Sequence, residues 1–236
     1  LSPHIAGEFF GTMILILLGG GVVAGVLLKE TKSHGAGWMV ITAAWAFAVA
    51  CGIFTAKALG APGALNPVGP LTDMIHGNAT IADGCGMILA EVLGAFCGAT
   101  LVWLHYYPHW KVTDNTDAKR AVFCTAPAIR HTPSNFLGEF LGTFALVFVA
   151  SAIGKASIGS LEPSMVGMLV WGIGLSRGGT TGYAINPARD FGPRLAHALL
   201  PIAGKGNSDW AYAWIPILGP CAGAVVASFA FKAMTG

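Results

Sequence analysis

Four stretches of this chain run for about 20 residues with at most one charged side chain, and that feature constrains the fold before any other. Phe9 to Leu28, Gly35 to Ala56 and Trp210 to Phe231 carry no charge, and Phe136 to Gly154 carries only Glu139. The hydrocarbon core of a bilayer is about 30 Å thick and a helix rises about 1.5 Å per residue, so each stretch is long enough to span. Two weaker stretches raise the total to six. Gly84 to Tyr107 is interrupted by Glu91, and the stretch between Glu162 and Arg177 is short, so both need shielding from lipid. Only 10% of the 236 residues are charged, against about 25% in a soluble domain. The first run is too long for the apolar region of a cleaved signal.

Two segments, Leu59 to Ile81 and Gly178 to Leu200, are too apolar for loops and too broken by Gly and Pro to cross. They read as re-entrant. Irregular backbone at membrane depth is tolerated where protein buries it or where it lines a watery cavity, so the pair points to a pore or binding site. His109 to Ser134, the one long polar connection, reads as an exposed loop.

The chain also repeats itself. Gly7-Glu8-Phe9-Phe10-Gly11-Thr12 recurs as Gly138-Glu139-Phe140-Leu141-Gly142-Thr143. Asn66-Pro67 recurs as Asn186-Pro187, and Leu93-Gly94 as Leu218-Gly219, in the same order at offsets of 131, 120 and 125. Such order implies duplication. With three spans per copy the second must enter from the opposite face, which gives inverted repeats over 4–105 and 135–232 joined by a connection over 106–134. The fold class that follows is an all-α membrane protein, one channel domain over 1–236, with six transmembrane helices and two re-entrant half-helices.

Asn is a preferred N-cap, and Pro at the first helical position costs no hydrogen bond, so each Asn-Pro begins a short helix. A capping Asn spends its side-chain oxygen on helix N–H groups and leaves its NH₂ to face whatever passes. Two helix N-termini meeting at the midplane carry partial positive charge, which opposes cations and protons while polarising a neutral solute's oxygen.

These residues resemble the aquaporin family, with its paired Asn-Pro-Ala boxes; here they stand as Asn66-Pro67-Val68 and Asn186-Pro187-Ala188. Within it, Asn186-Pro187-Ala188-Arg189-Asp190-Phe191-Gly192-Pro193 is similar to the glycerol-facilitator branch. The resemblance implies a selectivity filter at Trp45, Gly174, Tyr183 and Arg189. Arg189 would offer N–H donors to hydroxyl oxygens, Trp45 and Tyr183 an apolar corner against C–H groups, and Gly174 room. It further implies backbone lining from Gly63, Ala64 and Leu65 and from Gly182, Ala184 and Ile185, a homotetramer, and placement in the cell membrane with the connection outside. The first box departs from the pattern: Val68 replaces Ala, Ala64-Leu65 lacks the customary His, and Tyr183 adds a hydroxyl where Phe is common.

Glu8 and Glu139 occupy matched places, and an unpaired intramembrane carboxylate is costly, so each is read as supporting a re-entrant loop rather than relaying protons. Glu91 is read as a similar brace. Asp190 offsets Arg189 locally, either as a favourable acid in a first helical turn or in widening the pore. The small-x-x-x-small pairs Gly7/Gly11, Gly94/Gly98, Gly138/Gly142 and Gly219/Gly223 are read as packing within the subunit. Of the seven histidines none combines metal-ligand spacing with a nearby acid, and the five cysteines contain no Cys-x-x-Cys, so no metal, disulfide framework or cofactor is expected. His76 is the one with a place for a pH gate at a pore mouth. A net charge of +2 without a basic stripe excludes nucleic acid as a partner.

The reading is a passive channel in the lipid bilayer for glycerol and other small neutral solutes, passing water and excluding ions and protons. Undissociated lactic acid is the alternative solute. A proton-coupled transporter would need Glu8, Glu91 or Glu139 as its titrating group; an enzyme would need a nucleophile and base that the spans do not bring together. A junction protein would have no use for Arg189 in a re-entrant segment.

Overall fold

A computed structural model describes residues 2–236. Among these residues there are ten α-helices and no strand. In chain order they are α1 (Pro3–Leu27), α2 (Trp38–Ala58), α3 (Val68–His76), α4 (Ile81–His105), α5 (Tyr107–Val112), α6 (Thr116–Ala121), α7 (Thr132–Lys155), α8 (Glu162–Thr181), α9 (Pro187–Leu199) and α10 (Ile215–Thr235). Five of them, α1, α2, α4, α7 and α10, are long and apolar enough to cross a membrane. The 20-residue α8 is a sixth of crossing length, about 30 Å, though more polar.

Local sequence explains the ends. Thr80 accepts from the Asp83 N–H (3.1 Å) and donates its hydroxyl to the Asp83 carboxylate (2.7 Å), which starts α4. α8 runs past Arg177, where the short apolar stretch suggested a stop, and ends at Thr181 because Gly182 adopts a left-handed backbone (φ 81°) as its C-cap. Gly178 to Thr181 therefore belong to this helix and not to the second re-entrant segment.

α1 packs against α2 and α4, α7 against α10 and α8, and α2 against α8. The contacts of α1 with α4 and of α7 with α10 are matched backbone-to-backbone approaches. A Cβ on Gly94 would lie 2.2 Å from the Phe9 carbonyl oxygen, and one on Gly223 would lie 2.2 Å from that of Phe140. Only glycine fits there, so these small residues serve packing within the chain. The half-helices interlock: α9 lies against α4, and α3 against α10 as well as α4.

The connection between the halves is not the exposed loop its polarity suggested. Trp110 and Phe123 are among its fully buried side chains, and the Trp110 indole N–H donates to the Trp103 carbonyl at 2.9 Å. Lys119, with its ammonium donating to the Ala203 and Gly204 carbonyls, is buried as well, and that burial lowers its pKa. The segment folds onto α9, and its apolar cluster Val122-Phe123-Cys124 is the signal that marks it.

Candidate permeation pathway

Between α3 and α9 the two re-entrant loops meet. Glu8, fully buried on α1, accepts the N–H groups of Gly63 (2.7 Å), Ala64 (3.0 Å) and Leu65 (2.8 Å). Glu139, fully buried on α7, accepts those of Ala184 (3.0 Å) and Ile185 (2.8 Å). These hydrogen bonds hold unusual backbone. Leu65 (φ 51°) and Ile185 (φ 43°) are left-handed, as are Gly63 (φ 82°) and Tyr183 (φ 39°), matched pairs 120 residues apart. Side-chain-bearing residues enter this region at a cost, which the carboxylate clamps offset.

The Asn side chains then clamp each loop to the other. Asn186 caps α9, its Oδ1 accepting from Ala188 (3.0 Å) and Arg189 (3.1 Å), while its Nδ2 donates to the Leu65 carbonyl at 2.7 Å. Asn66 accepts more weakly from Val68 (3.3 Å) and donates to the Ile185 carbonyl at 2.8 Å. Each amide thus uses one N–H across the interface and retains the other. The NH₂ groups are therefore not wholly free, as the sequence suggested; half of each is structural. Pro67 and Pro187 fix the backbone at the two helix starts.

A cavity of about 460 Å³ passes this meeting point. Its lining includes Glu162 and Tyr183, which stand at opposite ends of α8, so it follows that helix over about 30 Å. Along the first loop it touches Gly63, Ala64, Leu65, Asn66 and Val68, and along the second Ala184, Ile185 and Asn186. Gly182 and Ala188 do not line it: Gly182 caps α8 against Thr125, and Ala188 is fully buried.

Trp45, Tyr183 and Arg189 come together on the cavity wall. The Arg189 guanidinium lies 4.3 Å over the Trp45 ring centroid, a cation–π contact, and Nη1 donates to the Phe123 carbonyl at 3.2 Å. Trp45 is seated because α1 has Gly19 beside it, where a Cβ would be 2.3 Å from the ring. Arg189 retains further N–H donors for a cavity occupant.

Gly174 does not line the cavity. Its missing side chain makes room for the Tyr183 ring instead: a Cβ there would lie 2.8 Å from Tyr183 Cζ. The Tyr183 hydroxyl is buried, without a hydrogen-bond partner, 3.0 Å from where that Cβ would be, so Tyr183 presents ring and not hydroxyl to the cavity. Both points correct the sequence reading. Sequence reasoning also missed Trp38, whose indole N–H donates to the Gly174 carbonyl at 3.1 Å and whose ring meets Tyr183 edge-on at 5.8 Å. A Trp at the start of a span looks like an interfacial anchor, so nothing local marks it.

Asp190 turns away from Arg189 to pair with Arg194, at 2.7 Å to Nε and 3.0 Å to Nη2, both residues fully buried. It also accepts from the Thr125 N–H (2.8 Å) and hydroxyl (2.7 Å), which fastens the connection over α9. Next to Thr125, burial pushes the Cys124 thiol up to about 12.

A profile of the Major intrinsic protein family matches residues 2–231. The chain belongs to that family. A probable glycerol uptake facilitator protein of Thermotoga maritima is 51% identical, over 96% of each chain. Glycerol uptake facilitator protein 3 of Lactiplantibacillus plantarum is 48% identical, over 99% of this chain and 98% of its own, and a D/L-lactic acid transporter of the same organism is 38% identical over 96% and 95%. Among solved structures, the aquaglyceroporin from Plasmodium falciparum superposes with a TM-score of 0.84 at 26% identity, over 99% of this chain and 96% of that one. The family and the apolar helices make this an integral membrane protein.

Proposed function

We propose that the chain is an uncoupled channel for glycerol, in which Trp45, Tyr183 and Arg189 form the narrow filter and Asn66 and Asn186 the midplane donors. The observation that carries this is the amphipathic wall: one guanidinium with spare donors beside two aromatic faces on a single cavity. A polyol chain has hydroxyls on one side and C–H groups on the other, so it meets both at once. Glu8 and Glu139 hold the loop N–H groups away from the cavity, which leaves loop carbonyls as acceptors along the way. The two relatives named as glycerol uptake facilitators support the solute.

Ion and proton exclusion follows from the helix N-termini of α3 and α9 converging with Arg189 on one passage, since a hydronium would meet positive potential at that stretch of it. The halves are taken as inverted repeats and the assembly as a homotetramer with one pore per chain. Undissociated lactic acid is the second solute, supported by the more distant lactic acid transporter and by Val68 on the cavity wall.

Stopped-flow light scattering on proteoliposomes tests the reading. Fast re-swelling in glycerol, above that in buffered lactic acid, is the expected result. Rapid water flow with glycerol excluded would overturn it.

A further inference from the structure

The cavity leaves one buried acid unused. Glu91 on α4 is fully buried, does not line the cavity, and faces Glu8 and the backbone of Asn66. Neither of its oxygens completes a well-formed hydrogen bond to a donor. Glu8 is in the opposite condition, with three loop N–H groups on its two oxygens. Both Glu8 oxygens are thus in use as acceptors. No Lys, Arg or His forms an ion pair with either acid among the described residues.

Two carboxylates in contact, buried and without a cation, do not both ionise. With the Glu8 oxygens accepting from the loop and those of Glu91 unpartnered, the proton between them is placed on Glu91. We propose that Glu91 is a carboxylic acid whose O–H donates to Glu8, making it the positioning residue that orients Glu8 toward the first loop.

The second half meets the same need differently. Glu139 has the Thr181 hydroxyl beside it in addition to its two loop N–H groups. The residue 120 positions before Thr181 is Ala61, which has no hydroxyl, and the residue 125 positions after Glu91 is Pro216, which has no acid. Each clamp thus has one O–H donor: the threonine that ends α8 in the second half, an acid on the neighbouring helix in the first.

Infrared spectroscopy of the protein in lipid vesicles, with flux in the same preparations, tests this. At neutral pH the wild type should show a protonated-acid C=O band that Glu91→Gln removes. Because the Gln amide still donates to Glu8, Glu91→Gln should keep glycerol permeability within about twofold, whereas Glu91→Leu, with no donor, should lower it about tenfold or more. The flux comparison rests on the glycerol-channel reading; the infrared comparison does not, so the two can fail separately. Coincident wild-type and Glu91→Gln spectra in the acid C=O region would overturn the assignment, even if Glu91→Leu does not fold. Wild-type flux in Glu91→Leu would overturn the positioning role.

Discussion

Gly174→Ala separates two accounts of this glycine. If it leaves space for solute, a methyl group there acts on the solute directly; if it leaves space for Tyr183, the methyl acts through that ring. The structure favours the second. The added Cβ would stand 2.8 Å from Tyr183 Cζ and 3.0 Å from Cε2 and Oη, against an ordinary carbon contact of about 3.5–4.0 Å. The ring must therefore retreat by about 0.7 Å or more. Behind it Trp38 packs edge-on, and Gly178 already lies so close that a Cβ there would be 2.4 Å from Cδ1. The open direction is the cavity. Overpacking of this kind costs about 1–3 kcal/mol, and charged to the passage of a solute that fills the filter it lowers flux by about 5- to 150-fold. Glycerol permeability should fall by roughly tenfold in stopped-flow assays, with water, the smaller solute, reduced less. In a Tyr183→Ala background the same methyl should be nearly neutral, since its partner is gone. Unchanged glycerol flux in Gly174→Ala, or an equal loss with Tyr183 removed, would refute the reasoning.

Arg189→Ala should raise the permeability of larger or less polar solutes relative to glycerol, because it removes both the hydrogen-bond donors and the group stacked on Trp45; unaltered relative permeabilities in vesicle swelling assays would count against the filter. Asp190→Asn leaves the buried Arg194 without its counter-ion, a loss of about 3–5 kcal/mol. The low end is expected, since Arg194 also donates to the carbonyls of Thr125, Ser208 and Asp209, and an unshifted thermal midpoint in detergent would contradict it. The Cys124 thiol, pushed up to about 12 by burial, stays protonated at neutral pH. Maleimide should label exposed Cys85 and spare Cys124 until the protein is denatured, and equal labelling in the native state would be the contrary result.

The helices were legible in the sequence because lipid imposes length and apolarity on each span separately, without reference to partners. The same holds for the two Asn-Pro starts, since capping is a local matter. Glu8 and Glu139 could be placed facing inward because an isolated carboxylate in lipid is costly. What stayed hidden depends on contacts between distant segments. Gly174 and Tyr183 are nine positions apart, but the seat they share is closed by Trp38, which no periodicity connects to them. The connection over α9 reads as polar residue by residue, yet Asp190 and Arg194 draw Thr125 down and Phe123 is buried with it. Asp190 itself was paired in sequence with its neighbour Arg189, whereas helix geometry gives it Arg194, one turn on.

The most direct test of the central claim is glycerol flux into vesicles with and without an imposed proton gradient of either sign. An uncoupled channel gives the same rate and the same equal final concentrations in every case. Accumulation of glycerol against its gradient, or a rate that follows the proton gradient, would contradict the account and make the buried glutamates part of a transport cycle.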